Sequence, residues 1–344
     1  MKVQECKDLE KLLIRLDKVP PSVQSFIKTK IDNGLSPSSA LEYVRDFGIF
    51  FNWASPKLWP DVDISVLTLQ FLNDISPDHV QQYMNYLTSS RNLQYSSMLR
   101  KMHSLRSLFG FLHQEFGNDG YPILRRNVFA SFTMSRPRNH SEVAHQLQKK
   151  ILRANEIPAF IKFVQEDVTK MNNSQAQWFH NQNRDRDVSM ITLLLESGIL
   201  VSDLVNLDLN DICLQNGYII VTRQHSQIRT KHRILFGESA KTYLHKYLRD
   251  RIDTYAPKPE EPALFLAKPN GELYGKRISK RTIQVMVKKY ASKFGASEVT
   301  VRQLTHSFGF QYAERNNIRN MKQQLAQRNI ESLEKYFILS SLHE

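Results

Sequence analysis

Cysteine is nearly missing from this sequence, with Cys6 and Cys213 the only two among 344 residues. Two thiols so far apart make neither a disulfide framework nor a zinc cluster, which points to a reducing interior compartment and to no structural metal. Long apolar runs are missing too. The most apolar stretch, SMITLLLESGILVSDLV, is broken by Glu196 and Asp203, and it is too short and too charged to span a bilayer. The opening MKVQECKDLEKLLIRLDKVPPSV is charged throughout and lacks the apolar centre of a signal peptide. There is no internal repeat and no low-complexity tract. The expectation is a soluble, cytoplasmic protein without a membrane partner and without a cofactor.

Positive charge is abundant. Lys and Arg number 47 against 34 Asp and Glu, a formal net charge of +13. A globular protein this basic is expected to meet a polyanion, and nucleic acid is the commonest one. The charge is unevenly placed. Residues 61–90 hold four Asp and no Lys or Arg, whereas residues 91–150 hold ten Lys or Arg against three acids. The hydrophobic fraction of 41% can fill real cores, and the length suits two domains.

Periodicity makes the first part helical. SPSSALEYVRDFGIFFNW opens on capping serines (Ser36, Ser38, Ser39) and places Leu41, Val44, Phe47 and Phe51 on one face. SPDHVQQYMNYL has Ser76 as cap and Pro77 in the first turn. YSSMLRKMHSLRSLFGFLHQEF turns Met98, Met102, Leu105, Phe109 and Leu112 inward, with Arg100, Lys101, His103, Arg106 and Ser107 toward the other side. Arg100, Lys101 and Arg106 are therefore candidate phosphate contacts, against the alternative of a merely solvated face.

The segment MSRPRNHSEVAHQLQKK is polar and basic, lacks a sustained apolar stripe and reads as a linker. Beyond it come helices over ANEIPAFIKFVQEDV and NRDRDVSMITLLLESG, the second stopping at Gly198. LVSDLVNL is a further helix, YIIVT and HRILF are two strands, and ESAKTYLHKYLRDRIDTY is helical. ALFLAK reads as a short strand followed by the turn PNGEL. The basic helix SKRTIQVMVKKYASKFG has Ser279 as cap. VTVRQLTHSFGFQYAERN and IRNMKQQLAQ are helical. The expected class is mainly α with a small β-sheet (α+β). The expected division is a helical DNA-binding domain over 1–135, a linker over 136–152 and a second domain over 153–344.

The stretch RDRDVSMITLLLESGILVSDLVNLDLNDICLQNGYIIVTR and the tail LAQRNIESLEKYF resemble the tyrosine recombinases, the phage integrase family, and most of all its single-chain Xer-type resolvases. The resemblance runs from about residue 36 to Tyr336. It implies a core-binding-like first domain and a catalytic-type second domain that clamp duplex DNA between them. It also implies a mechanism. A tyrosine attacks a DNA phosphodiester, leaving a 3′-phosphotyrosine and a free 5′-hydroxyl, with no metal or nucleotide required. Two arginines hold the non-bridging oxygens, and a lysine and two histidine or tryptophan positions handle protons.

This chain departs from that pattern at nearly every position. The resemblance places Leu200 where the first arginine belongs, in SGILVSD. Gln224 stands at the lysine position, with Arg223, Arg229 and Lys231 close by in sequence. RQLTH supplies Arg302, Thr305 and His306 where the family has His, Arg and His. LAQ supplies Gln327 at the last histidine. Tyr336 keeps the nucleophile position, and His306 is retained.

Losing one preorganised oxyanion donor costs an enzyme about 3–4 kcal/mol. The implied reading is a sequence-specific double-stranded DNA-binding protein that has lost strand transfer and works as a transcriptional repressor or regulator of a prophage or other mobile element, in a bacterial or phage setting near the nucleoid. The rivals are an active but atypical recombinase acting through Tyr336 and an architectural accessory to a recombinase. In the second domain the DNA contacts expected are Lys276, Arg277, Lys280, Arg281 and Arg302. Only FILSSLHE follows Tyr336, so Phe337, Ile338, Leu339 and Leu342 either dock on a partner or cover their own core. A monomer or dimer on DNA, or a regulatory partner, is as compatible with this as a tetramer.

Overall fold

The computed structural model describes residues 3–341 apart from 117–119, 123, 131–139, 167–173, 226–227, 268–273 and 328. The chain divides into two compact units, Met1–Arg136 with the short stretch Gln224–Ile228, and a second made of Pro137–Arg223 with Arg229–Glu344. The expected PNGEL turn and Leu342 fall outside the described residues, as does part of the expected linker.

The first unit is helical: α1 (Val3–Leu16), α2 (Pro21–Asp32), α3 (Pro37–Leu58), α4 (Pro77–Asn85) and α5 (Tyr95–Leu112). Two caps lie where the sequence puts them. Ser36 accepts the backbone N–H of Ser39 at the start of α3, and Ser76 with His79 forms a reciprocal capping box on α4. The core is aromatic. Phe47, Phe50 and Phe51 of α3 are wholly buried. Phe50 meets Tyr83 edge-on at 5.1 Å, and Phe109 meets Phe129 at 4.7 Å.

One polar contact crosses this core. Asp46 of α3 is 1% exposed. It accepts from Lys101 Nζ at 2.6 Å, from Ser104 Oγ at 3.0 Å and from both terminal nitrogens of Arg100. This corrects the sequence reading of α5. Lys101 does not face solvent: it is buried against α3, because a carboxylate inside a helical core must be paired. Arg100 is half exposed but is committed to the same carboxylate.

The second unit holds α6 (His140–Gln148), α7 (Glu156–Glu166), α8 (Ser174–Ser197), α9 (Val201–Asn206), the strands β1 (Ile212–Cys213), β2 (Tyr218–His225) and β3 (Ile228–Leu235), then α10 (Glu238–Tyr255), α11 (Lys280–Phe294), α12 (Val301–Ala313), α13 (Ile318–Gln324) and α14 (Glu331–Ser341). The strands form one sheet in the order β1-β2-β3. β1 and β2 pair antiparallel, Ile212 opposite Ile219 and Cys213 opposite Tyr218. Helix α8 runs through the core, with Val188 to Leu195 buried throughout. It ends at Gly198, whose φ of +68° favours glycine; a Cβ there would lie 2.3 Å from the Phe308 ring.

Two further expectations need correction. ALFLAK is not a strand: Ala263 and Leu266 make isolated bridges to Asp208 and Arg277. Ala263 to Leu266 are buried, and their backbone is satisfied from separate segments, Leu264 N–H on Leu207 O and Ile278 N–H on Phe265 O. The segment read as a linker contains α6. Its Ala144 and Leu147, with Ile151 beyond, pack on Phe310 and Leu339. Three apolar residues spaced three and four apart make a stripe too short to stand out among polar neighbours.

Among the described residues no helix is long and apolar enough to cross a membrane, and none of them form a group of three or more potential metal ligands.

Candidate functional site

Helices α9, α12 and α14 bring the family positions of the second unit together. Leu200 sits at the N-cap of α9, an extended residue (φ −74°, ψ 147°) that follows the Gly198 turn. Its isobutyl group is 37% exposed and offers no hydrogen bond. Thr305 lies on the buried side of α12, and its hydroxyl donates to the Ile199 carbonyl at 3.1 Å. The backbone next to Leu200 thus occupies the one donor Thr305 has.

His306, the next residue on α12, is buried with Nδ1 2.6 Å from the Tyr336 hydroxyl. Tyr336 projects from α14 and is 2% exposed. Its ring lies against Gly309 of α12, where a Cβ would come within 2.7 Å of two ring carbons. Glycine is needed there for close approach. Burial pushes the His306 imidazole down to about 3, helped by the positive charges of Lys335 and Arg302. Burial also raises the Tyr336 phenol well above its ordinary value, and Arg302 opposes this only in part. At neutral pH the pair is an uncharged imidazole beside an uncharged phenol.

Among the described residues one guanidinium group, that of Arg302, acts on this pair. Arg302 is exposed at the start of α12 and makes no hydrogen bond or ion pair with a described residue. Arg223 of β2 is spent on the protein: Nη1 donates to Ala326 O at 2.6 Å and Nη2 to Asp203 Oδ2 at 2.8 Å. The side chain of Gln224 lies outside the described residues. Gln327 is half-buried and its Oε1 accepts the Ser332 hydroxyl at 2.7 Å. The tail beyond Tyr336 folds onto its own unit, Leu339 against α6 and Phe337 against the Tyr336 cluster.

The expected DNA contacts separate into two groups. Arg106, Lys276, Lys280 and Arg281 are exposed and have no described partner. Lys101 and Arg100 are held by Asp46. Arg277 is also held: it donates to Val205 O and Leu207 O at 2.8 and 3.0 Å and pairs with Asp208. Sequence reasoning missed the Asp203–Arg223 and Asp208–Arg277 pairs, the role of Gly309, and the closeness of Lys335, whose Nζ lies 4.9 Å from the Tyr336 ring centre. A lysine next to the candidate nucleophile in EKYF is the one signal that pointed to the last of these.

Residues 150–342 match the family model described as "Phage integrase family". The chain is 29% identical over 314 residues to the tyrosine recombinase XerS of Streptococcus sanguinis (strain SK36), covering 87% of this chain and 86% of that protein. In three dimensions it is similar to the XerH site-specific recombinase bound to palindromic difH substrate, a post-cleavage complex. That match has a TM-score of 0.65 at 14% identity and covers 90% of this chain and 78% of the other. It is also similar to the Tn1549 transposon integrase in complex with circular intermediate DNA, with a TM-score of 0.61 at 16% identity, covering 92% of this chain and 93% of that one.

Proposed function

The chain belongs to the phage integrase family, the tyrosine recombinases, and from that premise we propose that it binds double-stranded DNA as a regulator, in the manner of a repressor, without breaking and rejoining strands. One observation carries this reading: at the two positions where the family mechanism needs guanidinium groups, Leu200 offers an alkyl group and Thr305 a hydroxyl already given to Ile199 O. A phosphorane with its equatorial charge ungripped loses about 3–4 kcal/mol for each missing donor.

The state of the retained pair supports the same reading. An imidazole held at about 3 is a weak acceptor for a phenol proton, and burial makes that phenol reluctant to ionise. Binding is supported by the formal charge of +13 and by the exposed cations Arg106, Lys276, Lys280, Arg281 and Arg302. The similar XerH and Tn1549 proteins were solved bound to DNA.

A rival reading, an atypical recombinase, draws on one specific feature: Arg302 and Lys335 place positive charge at the intact Tyr336–His306 pair. Nicked duplex substrates that trap a covalent intermediate separate the two. The expected result is no DNA adduct with the wild type and wild-type DNA affinity for Tyr336→Phe. An adduct that disappears in Tyr336→Phe would replace the regulator reading with the recombinase one.

A further inference from the structure

The first unit carries a cleft that the DNA-binding reading leaves unused. It measures about 310 Å³ and lies between the start of α2, residues 67–69 and the end of α5. Leu67, Leu69, Phe111 and Leu112 give it apolar walls. Leu67 and Leu112 are buried in the helical core, whereas Leu69 and Phe111 keep part of their surface open. Two side chains next to the lining in sequence continue the apolar surface outward: Val66 is 62% exposed and Phe116 is 63% exposed. A single exposed apolar residue needs no explanation, but a cleft with apolar walls and apolar flanks does.

The polar groups of this cleft are few and unspent. Ser22 Oγ is buried without a hydrogen-bond partner among the described residues. Such a hydroxyl stays costly until an incoming group bonds it. Glu115 is exposed at the cleft and has no described partner. No Lys or Arg is among the described residues that line it. The stretch leading into the wall repeats this sign. Asp61 and Asp63 are exposed, and Asp63 fixes the turn before Leu67 by accepting the Ser65 N–H at 2.8 Å. Residues 61–90 hold no Lys or Arg at all. On a chain of formal charge +13, negative charge gathers here, beside open apolar surface. Such a field repels phosphate and attracts a cation.

We propose that this cleft docks a segment of a partner protein in which an aliphatic or aromatic side chain stands beside Lys or Arg. The apolar side chain lies against Leu69 and Phe111, and the cation pairs with Glu115. Burial of open apolar surface supplies affinity, and the carboxylates turn acidic segments away. A small amine would leave Val66 and Phe116 uncovered. A second copy of this chain would bring a further +13 with it. The inference goes beyond the DNA-binding reading and does not rest on it.

Selection of short random peptides on the full chain tests it. The peptides retained should carry Leu, Ile, Phe or Trp beside Lys or Arg. For one such peptide, made synthetically, Glu115→Lys should weaken binding about tenfold, and changing the peptide's cation to Glu should restore binding to that variant. Thr68→Trp, which puts an indole into the cleft, should weaken binding about thirtyfold. Both positions are exposed, so the melting temperature should stay at the wild-type value. The proposal is overturned if no peptide is retained, if acidic peptides are selected, or if the selected peptide binds both variants as tightly as wild type. Phenethylamine binding as tightly as the peptide would assign the cleft to a small cation instead. A dimer in sedimentation velocity that Thr68→Trp dissociates would assign it to a second copy. Either result removes the proposal, and duplex binding, read separately, survives all of them.

Discussion

At the scale of single residues, the contact between His306 and Tyr336 joins stability to proton chemistry. Removing the imidazole would leave a buried phenol hydroxyl without its partner, a loss of about 1–3 kcal/mol. The pair also has a defined pH signature. The His306 imidazole has an ordinary value of 6.5 in the unfolded chain and about 3 in the folded one. The unfolded state therefore binds the extra proton between these values, and the folded state loses stability as pH falls through that window. The expected slope is about 1.4 kcal/mol per pH unit. Denaturant unfolding at pH 6.5 and at pH 5 should show wild type losing about 1.6 kcal/mol more than His306→Gln over that interval, the slope being half its full value at pH 6.5 where the unfolded imidazole is half protonated. Carboxylates common to both proteins cancel in the difference. Equal losses would show that the imidazole titrates freely in the fold.

Among the helices and strands, the first unit is held together partly by a charge. Asp46 on α3 gathers Lys101, Arg100 and Ser104 from α5. Replacing it by asparagine leaves the Lys101 ammonium buried without a counter-charge. Asp46→Asn should therefore destabilise the protein by about 3–5 kcal/mol, while Asp46→Asn combined with Lys101→Met should recover most of that loss. Chemical denaturation of the two variants checks this, and additive losses would remove the ion-pair account. The same contact shows a limit of periodicity. The apolar face of α5 (Met98, Met102, Leu105, Phe109 and Leu112) is legible and is buried as read. Lys101 is not legible as a core residue, because its partner lies 55 positions away on another helix. ALFLAK fails as a strand for a related reason: β propensity is readable locally, but among the described residues its pairing reaches only isolated bridges to Asp208 and Arg277, which lie elsewhere in the sequence.

Across the whole molecule, the net charge of +13 turns into a measurable salt dependence. Each phosphate neutralised adds about 0.9 to the slope of log affinity against log salt. Lys280→Ala with Arg281→Ala should lower that slope by about 1.8 if each cation holds its own phosphate. Lys101→Met should leave the slope unchanged, since that ammonium is already neutralised inside the first unit. Filter binding or fluorescence anisotropy at several salt concentrations reads both. An unchanged slope in the α11 pair, with a reduced one for Lys101, would invert the assignment of the DNA surface. Charge, helical periodicity, the capping serines and the changed letters in SGILVSD and RQLTH were all readable in the chain, because each depends on residue identity and local spacing. Which cations are available was decided only by the tertiary structure, which spent Lys101, Arg223 and Arg277 on Asp46, Asp203 and Asp208. The burial that keeps His306 and Tyr336 neutral was decided there too. Such pairings depend on distances in space between residues far apart in sequence, and local pattern carries no record of those distances.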